Sequence, residues 1–175
     1  MPSELHHIDI ERIGEYIQRN SCPRRFKLDL DGRQKAREAP FFTRLLNPVD
    51  PVLQASGSLH EAEWEKNLRD ADFVNIATRL NVDCPFLRWD EFSASLSQAS
   101  AGELIYAREV EVQGIIGKFL LSGRMDFILL MWKDGRPHLS VVECKASRKD
   151  RTYHRIQLST YLALVRQAAA AGELS

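Results

Sequence analysis

The spacing of apolar positions changes once along this chain. From Ile8 to Asn20 it is helical: Ile10, Ile13, Tyr16 and Ile17 form one stripe, and Asp9 is placed to cap the first turn. Ser21-Cys22-Pro23 restarts a helix, with Ser21 as its cap, Pro23 in its first turn, and Phe26 and Leu30 facing inward. Asp31 to Leu53, interrupted by Pro40, Pro48 and Pro51, reads as loop with one helical turn. A long helix is expected from Ser58 to Leu80, burying Leu59, Leu68, Phe73, Ile76 and Leu80. Asp90 to Ala99 is a further helix, closed by the turn-like Ser100-Ala101-Gly102.

From Leu104 the pattern becomes that of strands. Leu104–Val112, Ile115–Leu121, Met125–Trp132 and His138–Ala146 are rich in Val, Ile, Leu and Phe. Gly114, Gly123 and Lys133-Asp134-Gly135-Arg136 punctuate them. A helix from Asp150 to Ala171, carried by Ile156, Leu158, Leu162 and Val165, closes the chain. Helices, then strands, then a helix describe an α/β architecture with a central sheet covered by helices. At 175 residues the chain suits one domain, with a helical part over about 1–100 and the sheet and last helix over about 104–171.

Composition narrows the class. Hydrophobic residues make up 44% and charged residues 27%, an ordinary globular balance. Net charge is +0, so a polyanion partner is not implied by the sum. Basic residues cluster locally, at Arg24, Arg25 and Lys27, at Arg33, Lys35 and Arg37, and at Arg148, Lys149, Arg151, His154 and Arg155. Each cluster taken alone is a solvated face; together they can also hold phosphates. Three widely spaced cysteines, Cys22, Cys84 and Cys144, argue against a disulfide framework and for a reducing, cytoplasmic setting. No apolar run approaches a membrane span.

The chemistry centres on the hairpin from Met125 to Ala146. Asp134-Gly135 is a strong two-residue turn signal, and a loop there sets Asp126 directly opposite Glu143. A four-residue loop keeps that pairing; three or five residues would put Asp126 opposite Cys144. Paired carboxylates would lie about 5 Å apart between Cβ atoms, among the apolar Ile128, Leu130, Leu139 and Val141. Buried like charges destabilise unless a proton or a cation separates them, and Lys145 offsets only part of the charge. Two readings follow. One is a buried Asp/Glu/Lys cluster without chemistry. The other is a divalent-metal site in which Asp126, Glu143 and the main-chain carbonyl of Cys144 supply hard oxygen ligands to Mg²⁺ or Mn²⁺. Such a metal would activate a water and neutralise a phosphate transition state, with Lys145 orienting or deprotonating that water.

Gly123-Arg124-Met125-Asp126 followed by Glu143-Cys144-Lys145 resembles the GxxD…ExK core of the PD-(D/E)xK nuclease superfamily. Gln157-Leu158-Ser159-Thr160-Tyr161 looks like the QxxxY motif of its RecB-like branch, which includes CRISPR-associated and helicase-linked nucleases. Gly57-Ser58-Leu59-His60 looks like that branch's GxxH element. The resemblance implies a restriction-endonuclease-like fold, a central mixed sheet flanked by helices, and metal-dependent hydrolysis of DNA phosphodiesters. It makes His60 a metal ligand beside Asp126 and Glu143, Lys145 the catalytic lysine, and Gln157 and Tyr161 residues that orient Lys145, the water or the DNA backbone. Arg148, Lys149, Arg151 and Arg155 would contact phosphates.

Plainer readings stand beside these. Tyr161 suits a core, Trp64 suits packing, Glu61, Glu63 and Glu65 suit a surface, and Cys144 reads as core on the far face of its strand. Cys22-Pro23-Arg24-Arg25-Phe26 resembles the branch's CPxxF segment, whose cysteine in several members joins three C-terminal cysteines around a [4Fe-4S] cluster. No cysteine follows Cys144, so Cys22 is a remnant of that site or the sequence is a piece of a longer protein. Two other functions compete with a DNA nuclease: a non-catalytic nucleic-acid-binding or assembly module that keeps the fold, and a metal hydrolase for other phosphoesters.

Overall fold

A computed structural model describes residues 5–18, 20–28, 31, 51–80, 86–145 and 151–173. Leu30, most of the expected 31–53 loop, Cys84, and the basic residues Arg33, Lys35, Arg37, Arg148 and Lys149 lie outside them. The elements run β1 (His6–Asp9), α1 (Ile10–Gln18), α2 (Pro51–Asp70), β2 (Val74–Asn75), α3 (Ile76–Leu80), β3 (Leu87–Arg88), α4 (Trp89–Leu96), β4 (Ile105–Ile116), β5 (Phe119–Lys133), β6 (Arg136–Val142) and α5 (Thr152–Ala168). Residues 23–28 are also helical. No helix among the described residues is long and apolar enough to cross a membrane.

β4 and β5 are the spine of a six-stranded mixed sheet. They pair antiparallel from Ile105↔Leu130 to Ile116↔Phe119. β6 continues antiparallel on β5, while β1 adds to β5 and β2 and β3 add to β4 in parallel. The fold is thus the expected α/β one, a mixed sheet flanked by helices. α5 and α1 pack together and cover one face, over a core that includes Ile10, Val112, Leu121, Ile128, Tyr161 and Leu164. On the other face Leu68 and Trp64 of α2 meet Tyr106, Phe127 and Leu129.

Several sequence expectations are corrected. The Ile8–Asn20 helix begins at Ile10, because His6–Asp9 pairs in parallel with β5. The next helix is closed by the Cys22 carbonyl accepting from Phe26 N–H, so Cys22 rather than Ser21 takes the cap position. Pro51–Asp70 replaces the expected Ser58–Leu80 helix. Its end is a Schellman turn: Asp72 has φ +62, Asp72 N–H bonds the Arg69 carbonyl, and Phe73 N–H bonds the Leu68 carbonyl. Leu59 is consequently 72% exposed instead of buried.

Gly114 and Gly123 lie inside strands and do not end them; the turn falls at Gly117-Lys118. They are small because helices press on them. A Cβ on Gly123 would meet Tyr161 Oη at 2.8 Å and Ile10 Cβ at 3.1 Å, and one on Gly114 would meet Gln167 Oε1 at 2.6 Å. β6 stops at Val142, short of Ala146. α5 buries Gln157, Tyr161, Leu164, Val165 and Ala168, so its inward stripe is offset from the one drawn through Leu158 and Leu162.

Candidate active site

The β5–β6 turn is the two-residue Asp134-Gly135 loop, with φ +52 and +73, as a type I′ turn requires. Lys133 pairs with Arg136 and Phe127 with Val142. That register carries Glu143, the first residue beyond β6, to the position opposite Asp126. A side-chain bond also joins the two segments: Asp126 Oδ2 accepts the N–H of Cys144.

On the other side of Asp126 the sheet is interrupted. Arg108↔Phe127 and Val110↔Met125 are paired, but Glu109 and Asp126 between them are not. Glu109 has φ +49, left-handed backbone that a glutamate adopts at a cost of about 1–2 kcal/mol. The interruption shifts the side-chain alternation on both strands. Ala107 and Val110, three apart, enter one core, as do Met125 and Ile128. Asp126 therefore sits at a break in the ladder, with Glu109 on one side and Glu143 on the other.

Glu143 is the most enclosed member, its side chain 7% exposed against 32% for Lys145. Its Oε2 accepts from Lys145 Nζ at 2.8 Å and from Gln157 Nε2 at 3.3 Å. Its Oε1 is buried with no hydrogen-bond partner among the described residues. Tyr161, one turn beyond Gln157 on α5, donates its hydroxyl to the Arg124 carbonyl at 2.8 Å. The two residues thus tie one helix face to both strands of the site, Gln157 through Glu143 and Tyr161 through the backbone two residues before Asp126.

The electrostatics follow from this enclosure. Burial pushes Asp126 up to about 6, against the pull of Lys145 and the Cys144 N–H, with Glu61 and Glu109 adding to the rise. Burial and then the charge of Asp126 push Glu143 up to about 7. Burial, then Asp126, raises the Cys144 thiol to about 11, so it is an uncharged thiol at neutral pH. Burial works against the charge of Lys145, but Glu143 and Asp126 outweigh it and hold the ammonium above its usual range. Burial and then Glu143 also raise Tyr161.

Two desolvated carboxylates and an unpartnered buried oxygen match the donor set of a hard divalent cation. Among the described residues no group of three or more His, Cys, Asp or Glu side chains gathers as a metal cluster. A cation here would complete its shell with water and main-chain oxygen, as Mg²⁺ commonly does. His60 is exposed on α2. Its neighbour Glu61 turns toward the sheet, where Arg108 binds it at 3.1 Å and binds Glu65 at 2.8 Å. Trp64 packs near Phe127, with ring centroids 6.2 Å apart. Cys144 is half-buried and packs against the α2-side cluster. Arg151 and Arg155 are exposed at the start of α5, and Cys22 is an exposed free thiol.

The sequence reading missed Arg108, Glu109 and Arg124. For the first two the signal was a pair of adjacent charges, Arg108-Glu109, in a strand that otherwise alternates polar and apolar residues. Arg124 ion-pairs with Glu109 at 3.6 Å and lies over the Phe86 ring at 5.3 Å.

No curated protein and no solved structure matches the chain significantly. The family model of the PD-(D/E)XK nuclease superfamily matches residues 18–174, which span the interrupted ladder, the Glu143-Cys144-Lys145 segment and the Gln157–Tyr161 helix face. By that match over most of its length, the chain belongs to the PD-(D/E)XK nuclease superfamily.

Proposed function

We propose that this protein is a Mg²⁺- or Mn²⁺-dependent deoxyribonuclease of the RecB-like branch, built as one nuclease domain and acting in the cytoplasm. The observation that carries the reading is Glu143. One of its oxygens is held by Lys145 and Gln157 while the other is buried with no hydrogen-bond partner among the described residues, opposite Asp126. A purely structural ion pair would leave no such oxygen, because burying it unsatisfied costs free energy.

Asp126 and Glu143 would hold the metal, with the Cys144 carbonyl as a further oxygen; His60, the ligand that the branch supplies from α2, would join only if its exposed side chain turned in to that pair. Bound there, a divalent ion supplies a Lewis acid that makes water a nucleophile at neutral pH and offsets phosphate charge. Lys145, held as an ammonium by its neighbours, donates to that water or to the phosphate and counters developing negative charge. Gln157 keeps Glu143 and Lys145 in register, and Tyr161 fixes the strand that carries Asp126. Arg148, Lys149, Arg151 and Arg155 would bind the DNA backbone beyond the site. Cys22 carries no cluster in this reading.

The test is cleavage of end-labelled DNA by the purified protein with Mn²⁺. Wild type cuts, while Lys145→Ala and Asp126→Ala each lose about a hundredfold or more. Equal cutting by either variant would remove the site from the mechanism.

A further inference from the structure

A groove of about 570 Å³ opens beside the carboxylates, walled by Glu65, Phe86, Leu87, Arg108, Glu109 and Arg124 among others. Its size falls within the roughly 300–1,000 Å³ usual for ligand pockets. Glu109, in its wall, stands at the break in the ladder and its charge acts on Asp126, so the groove borders the proposed site.

The charged groups in its wall differ in how firmly they are held. Arg108 is committed: it binds Glu61 and Glu65 and lies 5.4 Å over the Phe127 ring. Glu65 also accepts from Tyr106 at 2.9 Å. Arg124 is loosely held. Its side chain is 53% exposed and its pair with Glu109 spans 3.6 Å. An exposed pair of that length contributes at most about 1 kcal/mol, so a phosphate can displace it. The guanidinium lies 5.3 Å over the ring of Phe86, a residue that is itself 46% exposed. An exposed aromatic ring beside an available arginine is the combination that unpaired nucleotides use, the ring for a base face and the cation for the backbone.

We propose that this groove binds an unpaired nucleotide of the DNA next to the bond to be cut, with its base stacked on Phe86 and a phosphate taking Arg124 from Glu109. The inference rests on the deoxyribonuclease reading and adds a substrate class, single-stranded or frayed DNA. A base within a duplex has both faces stacked already and cannot use the ring.

Fluorescence anisotropy of the metal-free protein tests it without turnover, using a labelled oligothymidylate and a blunt duplex of equal length. Wild type binds the single strand more tightly. Phe86→Ala weakens single-strand binding about tenfold and weakens duplex binding far less, while Phe86→Trp restores the single-strand affinity. Arg124→Gln lowers the salt slope for the single strand by about 0.7. Because Phe86 and Arg124 are exposed, thermal melting of each variant should stay at the wild-type value. The proposal is overturned if wild type prefers the duplex, if it binds neither, or if Phe86→Ala leaves the two affinities unchanged or lowers both equally. Metal-dependent cleavage that persists alongside any of those results keeps the catalytic reading and removes only the subsite. A protein that shows the binding pattern but never cuts removes the catalytic reading instead.

Discussion

At the scale of single residues, the site is a place where charge has been kept at the expense of stability. Asp126 on β5 and Glu143 just beyond β6 lie opposite each other with burial raising both, against the pull of Lys145, the Cys144 and Asp126 N–H groups and the hydrogen bond from Gln157. Asp126→Asn removes one of two like charges while leaving an amide oxygen to accept from Cys144. In the metal-free protein above neutral pH it should therefore stabilise, by about 1 kcal/mol, and should also lower metal-dependent cleavage at least about a hundredfold. Urea denaturation in a chelator and a cleavage assay read the two effects; a variant that is both less stable and still active contradicts the account. The Asp126–Glu143 pairing was legible in the sequence because Asp134-Gly135 specifies a turn and the turn specifies the register. The break at Glu109 was not legible. A left-handed glutamate has no residue-type signal, and the alternation on either side of it reads as ordinary strand.

At the scale of elements, α5 and α1 press on the sheet most closely at two glycines. Gly123 meets Tyr161 and Ile10, both buried, with no room to move. Gly114 meets Leu164 and the tip of exposed Gln167, which can swing into solvent. Gly123→Ala should accordingly cost about 2–3 kcal/mol and Gly114→Ala about 1 kcal/mol or less, measured by chemical denaturation. The reverse order would mean that α5 is not positioned by Tyr161. Here the sequence misleads for a physical reason: a glycine needed for close approach and a glycine needed for a turn look alike. The same limit applies to α2, whose end depends on Asp72 adopting a left-handed φ, and to the short parallel strands. His6–Asp9 carries no strand pattern of its own and is one only because β5 offers it a partner.

At the scale of the whole molecule, the buried carboxylates couple folding to pH and to cations. Both have folded-state values raised above those of the unfolded chain. Stability from such groups is fully present below the unfolded value, near pH 4, and is lost as pH rises through about 6 to 7. Without metal, the wild type should thus lose stability between about pH 5 and pH 7.5, on the order of 2 kcal/mol more than Asp126→Asn does. Divalent cation should restore it, since a ligand that binds only the folded state stabilises it. Parallel pH profiles of wild type and variant would sink the linkage.

The central claim is that Asp126 and Glu143 form a cation site. Calorimetric titration of Mn²⁺ into the metal-free protein near neutral pH tests it most directly. The account predicts saturable binding by wild type, weakened at least about tenfold in Asp126→Asn. No binding by wild type, or the same affinity in the variant, would contradict it.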